Sequence, residues 1–275
     1  MKKAALIAYI FFALLNVVGH IMIATDWFAQ YGVAMTFLSK PMLMIILFIY
    51  FFWSVIQKDW LNEDTKIAFA LVAAWFGDVF LMFNGMEYFL AGVGSFFVMQ
   101  ILYINNFTTS GQLYADLLPE QAAHNALIRR CRKTGEPIPK DRPNVIIEPE
   151  EKLGLLQQKP WLSIPLLILA IIICWVVLPR LGEDRVLQGA VIVYAFTIIY
   201  MVMMAINRGE RVNKESFWMV LIGSILFLIS DFTIAINAFV FVDFPFASVI
   251  IMGLYIPAQY FIVEGYLRQE KVNVP

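Results

Sequence analysis

The sequence predicts an all-α integral membrane bundle of eight transmembrane helices with both termini on the cytoplasmic side. Three observations carry that prediction. The chain of 275 residues is 61% hydrophobic and only 15% charged, with a mean hydropathy of +0.74, which is membrane composition rather than that of a soluble core. Its apolar residues fall into eight runs of about 20, the length that crosses a hydrocarbon layer about 30 Å thick as a helix. Its basic residues gather on one side of those runs.

The first span, Ala4–Ala24, follows Lys2-Lys3 like a signal peptide. No small residue stands three positions before a cut after Ala24, so it reads as an uncleaved first helix. The second covers Val33–Ile56, with Lys40 in Ser39-Lys40-Pro41 read as marking an interfacial helix start on the outer side. Thr65–Phe83 and Met86–Phe107 complete a first half. Pro160–Pro179, Val186–Asn207, Ser216–Val240 and Phe246–Leu267 make a second. Internal Gly, Ser and Pro are compatible with membrane helices whose neighbours satisfy the backbone. With both ends inside, 17 of the 20 Lys and Arg are cytoplasmic, and only Lys40, Arg180 and Arg185 are not. That asymmetry favours an even number of spans.

The domain organisation is then 1–107 as a first four-helix half, 108–159 as a polar, basic cytoplasmic connector, and 160–275 as a second half. Within the connector, Pro119–Lys133 is a short helix candidate and Gly135–Pro143 a Pro-rich tail. Its basic helix could equally rest on anionic headgroups. The sequon Asn106-Phe-Thr108 falls on the cytoplasmic side and carries no meaning there. Cys131 and Cys174 lie too far apart to form a disulfide, and no metal or other cofactor is implied. The expected partner is the bilayer, with no nucleic acid and no obligate protein partner. The two halves resemble a parallel 4+4 repeat, since the third helix of each carries Asp and then Asn. Convergent apolar sequence would look the same.

Function centres on two aspartates. Asp78 in Phe76-Gly-Asp78-Val-Phe-Leu-Met and Asp231 in Ile229-Ser230-Asp231 each sit inside an apolar run and precede Asn84 and Asn237 by six residues. A carboxylate deep in a membrane helix costs about 2.5–3.5 kcal/mol on insertion scales, so a retained pair points to function. At about 1.5 Å per residue, Asp78 lies about 18 Å, Asp231 about 20 Å and Tyr255 about 16 Å from the cytoplasmic edge, a shared depth. Ala70, Ala73, Ala74, Gly77, Gly223 and Ser224 allow neighbouring helices to come close. Gln100 and Tyr103 share one face of the fourth helix, and Tyr255 and Gln259 one face of the eighth. Asn84 and Asn237 read equally as helix-end caps, and the tyrosines as packing or interface residues. Asn16 and His20 share a face of the first helix, where a lone His is more often simply hydrogen-bonded. Glu264 reads as interfacial. Converging carboxyls in a low dielectric would share a proton, giving one acid beside one carboxylate. That machinery suits acid-catalysed hydrolysis through an oxocarbenium-like state, and equally a proton-coupled carrier.

The segments around Gly77-Asp78, Phe89–Ile104, Gly223–Asp231 and Tyr255-Ile-Pro-Ala-Gln259, with Ser39-Lys40-Pro41, together resemble the YhhN-like lysoplasmalogenase family. The resemblance runs over essentially all eight helices. Two departures stand out: Gln100 where the family is expected to carry His, and the long 108–159 insertion. The resemblance implies hydrolysis of the vinyl ether of lysoplasmalogens to a fatty aldehyde and glycerophosphoethanolamine or glycerophosphocholine, in a multi-pass protein of the bacterial inner membrane. It implies an aspartate dyad, Asp78 and Asp231, as acid and base. Lys40, Gln100, Tyr103, Tyr255, Gln259, Asn84, Asn237 and Ser230 would position substrate and water.

Overall fold

The computed structural model describes residues 2–56, 60–110, 153–241, 244 and 246–269. Every regular element among them is helical. The long helices are α1 (Lys2–Ala24), α2 (Ala29–Val55), α3 (Asn62–Phe80), α4 (Met86–Thr109), α5 (Ser163–Val177), α6 (Arg185–Asn207), α7 (Lys214–Phe239) and α8 (Ala247–Leu267). A one-turn helix at Leu155–Gln158 precedes α5, and short 3₁₀ turns flank it. The connector helix expected at 119–133, and Cys131, lie outside the described residues.

Among the described residues, seven helical stretches are long and apolar enough to cross a membrane: α1, α2, α4, Pro160–Arg180 around α5, α6, α7 and α8. The chain is therefore a multi-pass membrane protein. The expected eighth span, α3, is not among the seven. It has 19 residues and carries Glu63, Asp64, Lys66 and Asp78, too many charges for that length to count as apolar.

α2 corrects a second expectation. It begins at Ala29, directly after the chain reverses through Asp26 and Phe28 in left-handed conformations (φ 56° and 54°). Ser39-Lys40-Pro41 therefore lies inside the helix and starts nothing. The helix starts this early because Gly32 packs against Gly19 of α1. A Cβ on Gly32 would stand 2.6 Å from the Gly19 carbonyl oxygen, so the two backbones touch. α7 and α8 meet the same way: a Cβ on Gly223 would lie 2.8 Å from the Ala258 carbonyl, and one on Gly265 2.9 Å from the Val220 nitrogen. Gly32→Leu is expected to destabilise the protein by about 1–3 kcal/mol, because a rigid backbone cannot yield as a side chain does. Thermal unfolding in detergent checks this, and an unchanged midpoint would contradict the close crossing.

The helix ends sort into two groups. At the end where α1 begins and α8 ends, polar side chains link elements distant in sequence. Glu264, in the last turn of α8, is buried, accepting hydrogen bonds from Tyr50 of α2 (2.5 Å) and from Arg268 (2.7 Å). Tyr266 donates to Asp64 at the start of α3 (2.7 Å), and Arg211 donates to the Thr108 carbonyl at the end of α4 (2.8 Å). Arg208 is fully buried, donates to Ser216 (3.0 Å) and lies over the Phe107 ring. Burial, with Arg211 nearby, lowers its pKa to about 9, still cationic at neutral pH. These contacts lock one end of the bundle. The opposite half, toward the α3–α4 and α7–α8 turns, is hollow.

Candidate functional site

Asp78 is in the last turn of α3, and its position follows from the small residues before it. Ala70 and Ala74 are fully buried, and the Phe96 ring of α4 packs so closely on Gly77 that a Cβ there would meet it at 2.7 Å. That contact sets α3 against α4 and leaves Asp78 2% exposed. Phe96, Phe227 and Tyr255 have ring centroids within about 6 Å of one another and form an aromatic floor. From that floor the Tyr255 hydroxyl donates to Asp78 Oδ2 at 2.8 Å.

Asp231 comes from α7, held to α8 by the Gly223 contact and by Ser230, whose hydroxyl donates to the Ile251 carbonyl (3.1 Å). Its Oδ2 accepts hydrogen bonds from the Tyr194 hydroxyl of α6 and from Gln100 Nε2 of α4 (3.4 Å). Asp231 Oδ1 and Gln100 Oε1 are buried acceptors with no hydrogen-bond partner among the described residues. Each carboxyl thus has its own tyrosine donor, on a different helix.

Both aspartates line one cavity of about 230 Å³ in the hollow half of the bundle. Lys40, half-buried in α2, lines it too and makes no hydrogen bond or ion pair with a described residue. His20 of α1 lines it, with a buried Nε2 that lacks a partner. The turn below, Asn16 donates to Ser39 (2.9 Å) and holds α1 beside the Lys40 step. Ser230, Asn237 and Tyr255 also line the cavity, and Asn237 accepts from the Phe244 backbone (3.1 Å) at its rim.

The other residues expected at the site sit elsewhere. Tyr103 and Gln259 bond each other (2.7 Å), and Gln259 contacts Met99. Both are fully buried and tie α4 to α8 outside the cavity lining. Asn84 is exposed in the α3–α4 turn and does not line the cavity. Sequence reasoning missed Tyr194 altogether. Its one signal is a tyrosine well inside an apolar span rather than at its edge, where tyrosine is enriched. His20, expected to be simply hydrogen-bonded, instead lines the cavity with no Nε2 partner among the described residues.

The arrangement brings two carboxyls, the Tyr255 hydroxyl and the Lys40 amine into one pocket, with Tyr194 reaching Asp231 from outside its lining. That equips it for proton transfer to and from an amphiphile carrying a negative group. Among the described residues, no cluster of His, Cys, Asp and Glu has the make-up of a metal site. No curated protein and no solved structure matches the chain. The model of the YhhN family, which includes lysoplasmalogenases, matches residues 35–124 and 153–266. That covers most of the sequence and every helix contributing to the cavity except α1. The chain belongs to the YhhN family.

Proposed function

We propose that the protein is a lysoplasmalogenase, cleaving the vinyl ether of lysoplasmenylethanolamine or lysoplasmenylcholine to a fatty aldehyde and the glycerophospho headgroup. The observation that carries this reading is the pairing of Asp78 and Asp231 in one cavity with Lys40. Family membership supports the reaction class. The cavity supplies the groups that the chemistry needs.

One carboxylic acid transfers its proton to the alkenyl carbon distal to oxygen. The π pair becomes the new C–H bond and leaves an oxocarbenium ion. The other aspartate, ionised, stabilises the cation and takes a proton from the attacking water. The hemiacetal then collapses: a carboxylate takes its hydroxyl proton as the C=O bond forms, its C–O bond to glycerol breaks, the glycerol oxygen takes a proton from the protonated carboxyl, and the aldehyde leaves. Tyr194 and Tyr255 fix the two carboxyls in orientation, and Lys40 holds the phosphate.

In the membrane, α3 serves as an eighth span. Its charges Glu63, Asp64 and Lys66 cluster at the end where α1 begins and α8 ends, which supports that placement. Both termini are then cytoplasmic, in keeping with the basic residues there, and the cavity lies in the outer half. The bacterial inner membrane is the natural location for such a topology.

Hydrolysis in D₂O tests the mechanism. Protonation at carbon installs one deuterium at C2 of the aldehyde, beyond the exchange measured for the free aldehyde. An aldehyde with no excess deuterium at C2 would overturn carbon protonation.

A further inference from the structure

A second cavity adjoins the first. It is narrower, about 70 Å³, and lies between α4, α5, α6 and α7. Its walls are apolar, with Ile173 and Val177 from α5, Leu187 from α6 and Phe239 from α7 along it. The polar side chains lining it are Asp231 and Tyr194, which are hydrogen-bonded to each other. The two cavities share Leu81, Phe89, Phe96, Asp231 and Ile234. Asp231 is therefore the one polar residue common to both, and Asp78, Lys40 and His20 line the wider chamber alone.

This division matches an amphiphile of one chain. A phosphate or amine in the groove would be desolvated with no partner beyond the Asp231–Tyr194 pair, at a cost of several kcal/mol. A hydrocarbon chain gains about 0.8 kcal/mol for each CH₂ it hides from water. The wider chamber, whose Lys40 amine and His20 Nε2 make no hydrogen bond to a described residue, suits the anionic end.

We propose that the groove between α4, α5, α6 and α7 binds the single hydrocarbon chain of a lysophospholipid, with Asp231 at the junction of chain and headgroup. This rests on the lysoplasmalogenase reading and deepens it by assigning the two carboxyls. The bond to be cleaved lies where chain meets glycerol. Asp231 then faces the alkenyl carbon and delivers its proton there, while Asp78, with Lys40, lies on the glycerol-phosphate side.

Photolabelling with an uncleavable alkyl-ether lysophosphocholine tests the placement without requiring turnover. One probe carries a diazirine at the chain terminus, the other two carbons from the ether oxygen. The terminal probe is expected to label α5 and the first half of α6, and the proximal probe the stretch of α7 around Asp231. Excess unlabelled ether lipid should compete both. Ala195→Phe, which fills the groove, should cut specific labelling at least fivefold. Ala190→Phe, on the exposed rim of the groove, supplies the same test if the buried replacement fails to fold. Terminal labelling around Lys40 on α1 and α2 would overturn the placement, as would uncompeted labelling spread over all lipid-facing helices. Specific groove labelling without aldehyde release from the cleavable substrate would instead remove the hydrolase reading and leave the chain site standing.

Discussion

Asp78→Asn and Asp231→Asn are each expected to lower the turnover number for vinyl ether hydrolysis by about 10²–10⁴-fold, the usual contribution of a positioned acid or base. Asparagine keeps the shape of the carboxyl and can still accept the Tyr255 or Tyr194 hydrogen bond, so folding should be retained. It cannot deliver a proton to carbon or accept one from water. Because the two carboxyls act as a unit, the double variant should lose little more than the worse single one. Initial rates of aldehyde formation, with thermal unfolding as a control for folding, check this. Additive losses in the double variant would show that the two groups act independently.

Lys40→Met is expected to raise KM for a lysophospholipid about 100-fold while changing the turnover number far less. The lysine makes no bond to a described residue that folding would miss, and methionine fills its stem volume. A buried cation facing an anionic headgroup contributes several kcal/mol to binding when its partner is present. An alkenyl glycerol, which lacks the phosphate, supplies the discriminating comparison: its KM should be unaffected by the substitution. Equal losses on both substrates would remove Lys40 from the headgroup and make it a structural residue.

Much of this architecture was legible in the sequence because each membrane helix announces itself by length and apolarity. The expected spans coincide with long helices to within a few residues at each end. α3 shows where that criterion stops. Its buried face is built from Ala70, Ala74 and Gly77, but Glu63, Asp64, Lys66 and Asp78 leave it short of an apolar span. The two aspartates were visible because a charge inside an apolar run is conspicuous, and depth counting placed Tyr255 beside them. Tyr103 and Gln259 share helix faces with Gln100 and Tyr255 but stand about one turn further along, and their hydrogen bond lies outside the cavity lining.

What sequence could not reveal were pairings across distant helices. Gln100 reaches Asp231 over 131 positions, and Tyr194 reaches it from α6, where a tyrosine among Val, Ile and Phe reads as packing. Lys40 looked like an interfacial marker because Pro41 follows it, and proline commonly sits at a helix's first turn. In the structure α2 runs unbroken through Ser39-Lys40-Pro41, and Lys40 lines the cavity instead of an interface.

The most direct measurement is aldehyde release by the purified protein in detergent from three lysophospholipids that share one chain length and headgroup but differ in linkage: alkenyl ether, alkyl ether and acyl ester. Acid attack at an alkenyl carbon predicts release from the alkenyl ether alone, lost in both Asp78→Asn and Asp231→Asn. No release from the alkenyl ether by folded protein, or undiminished release by both variants, would contradict a two-carboxyl vinyl ether hydrolase. In the first case, uptake of solute into vesicles driven by a pH gradient would become the reading to pursue.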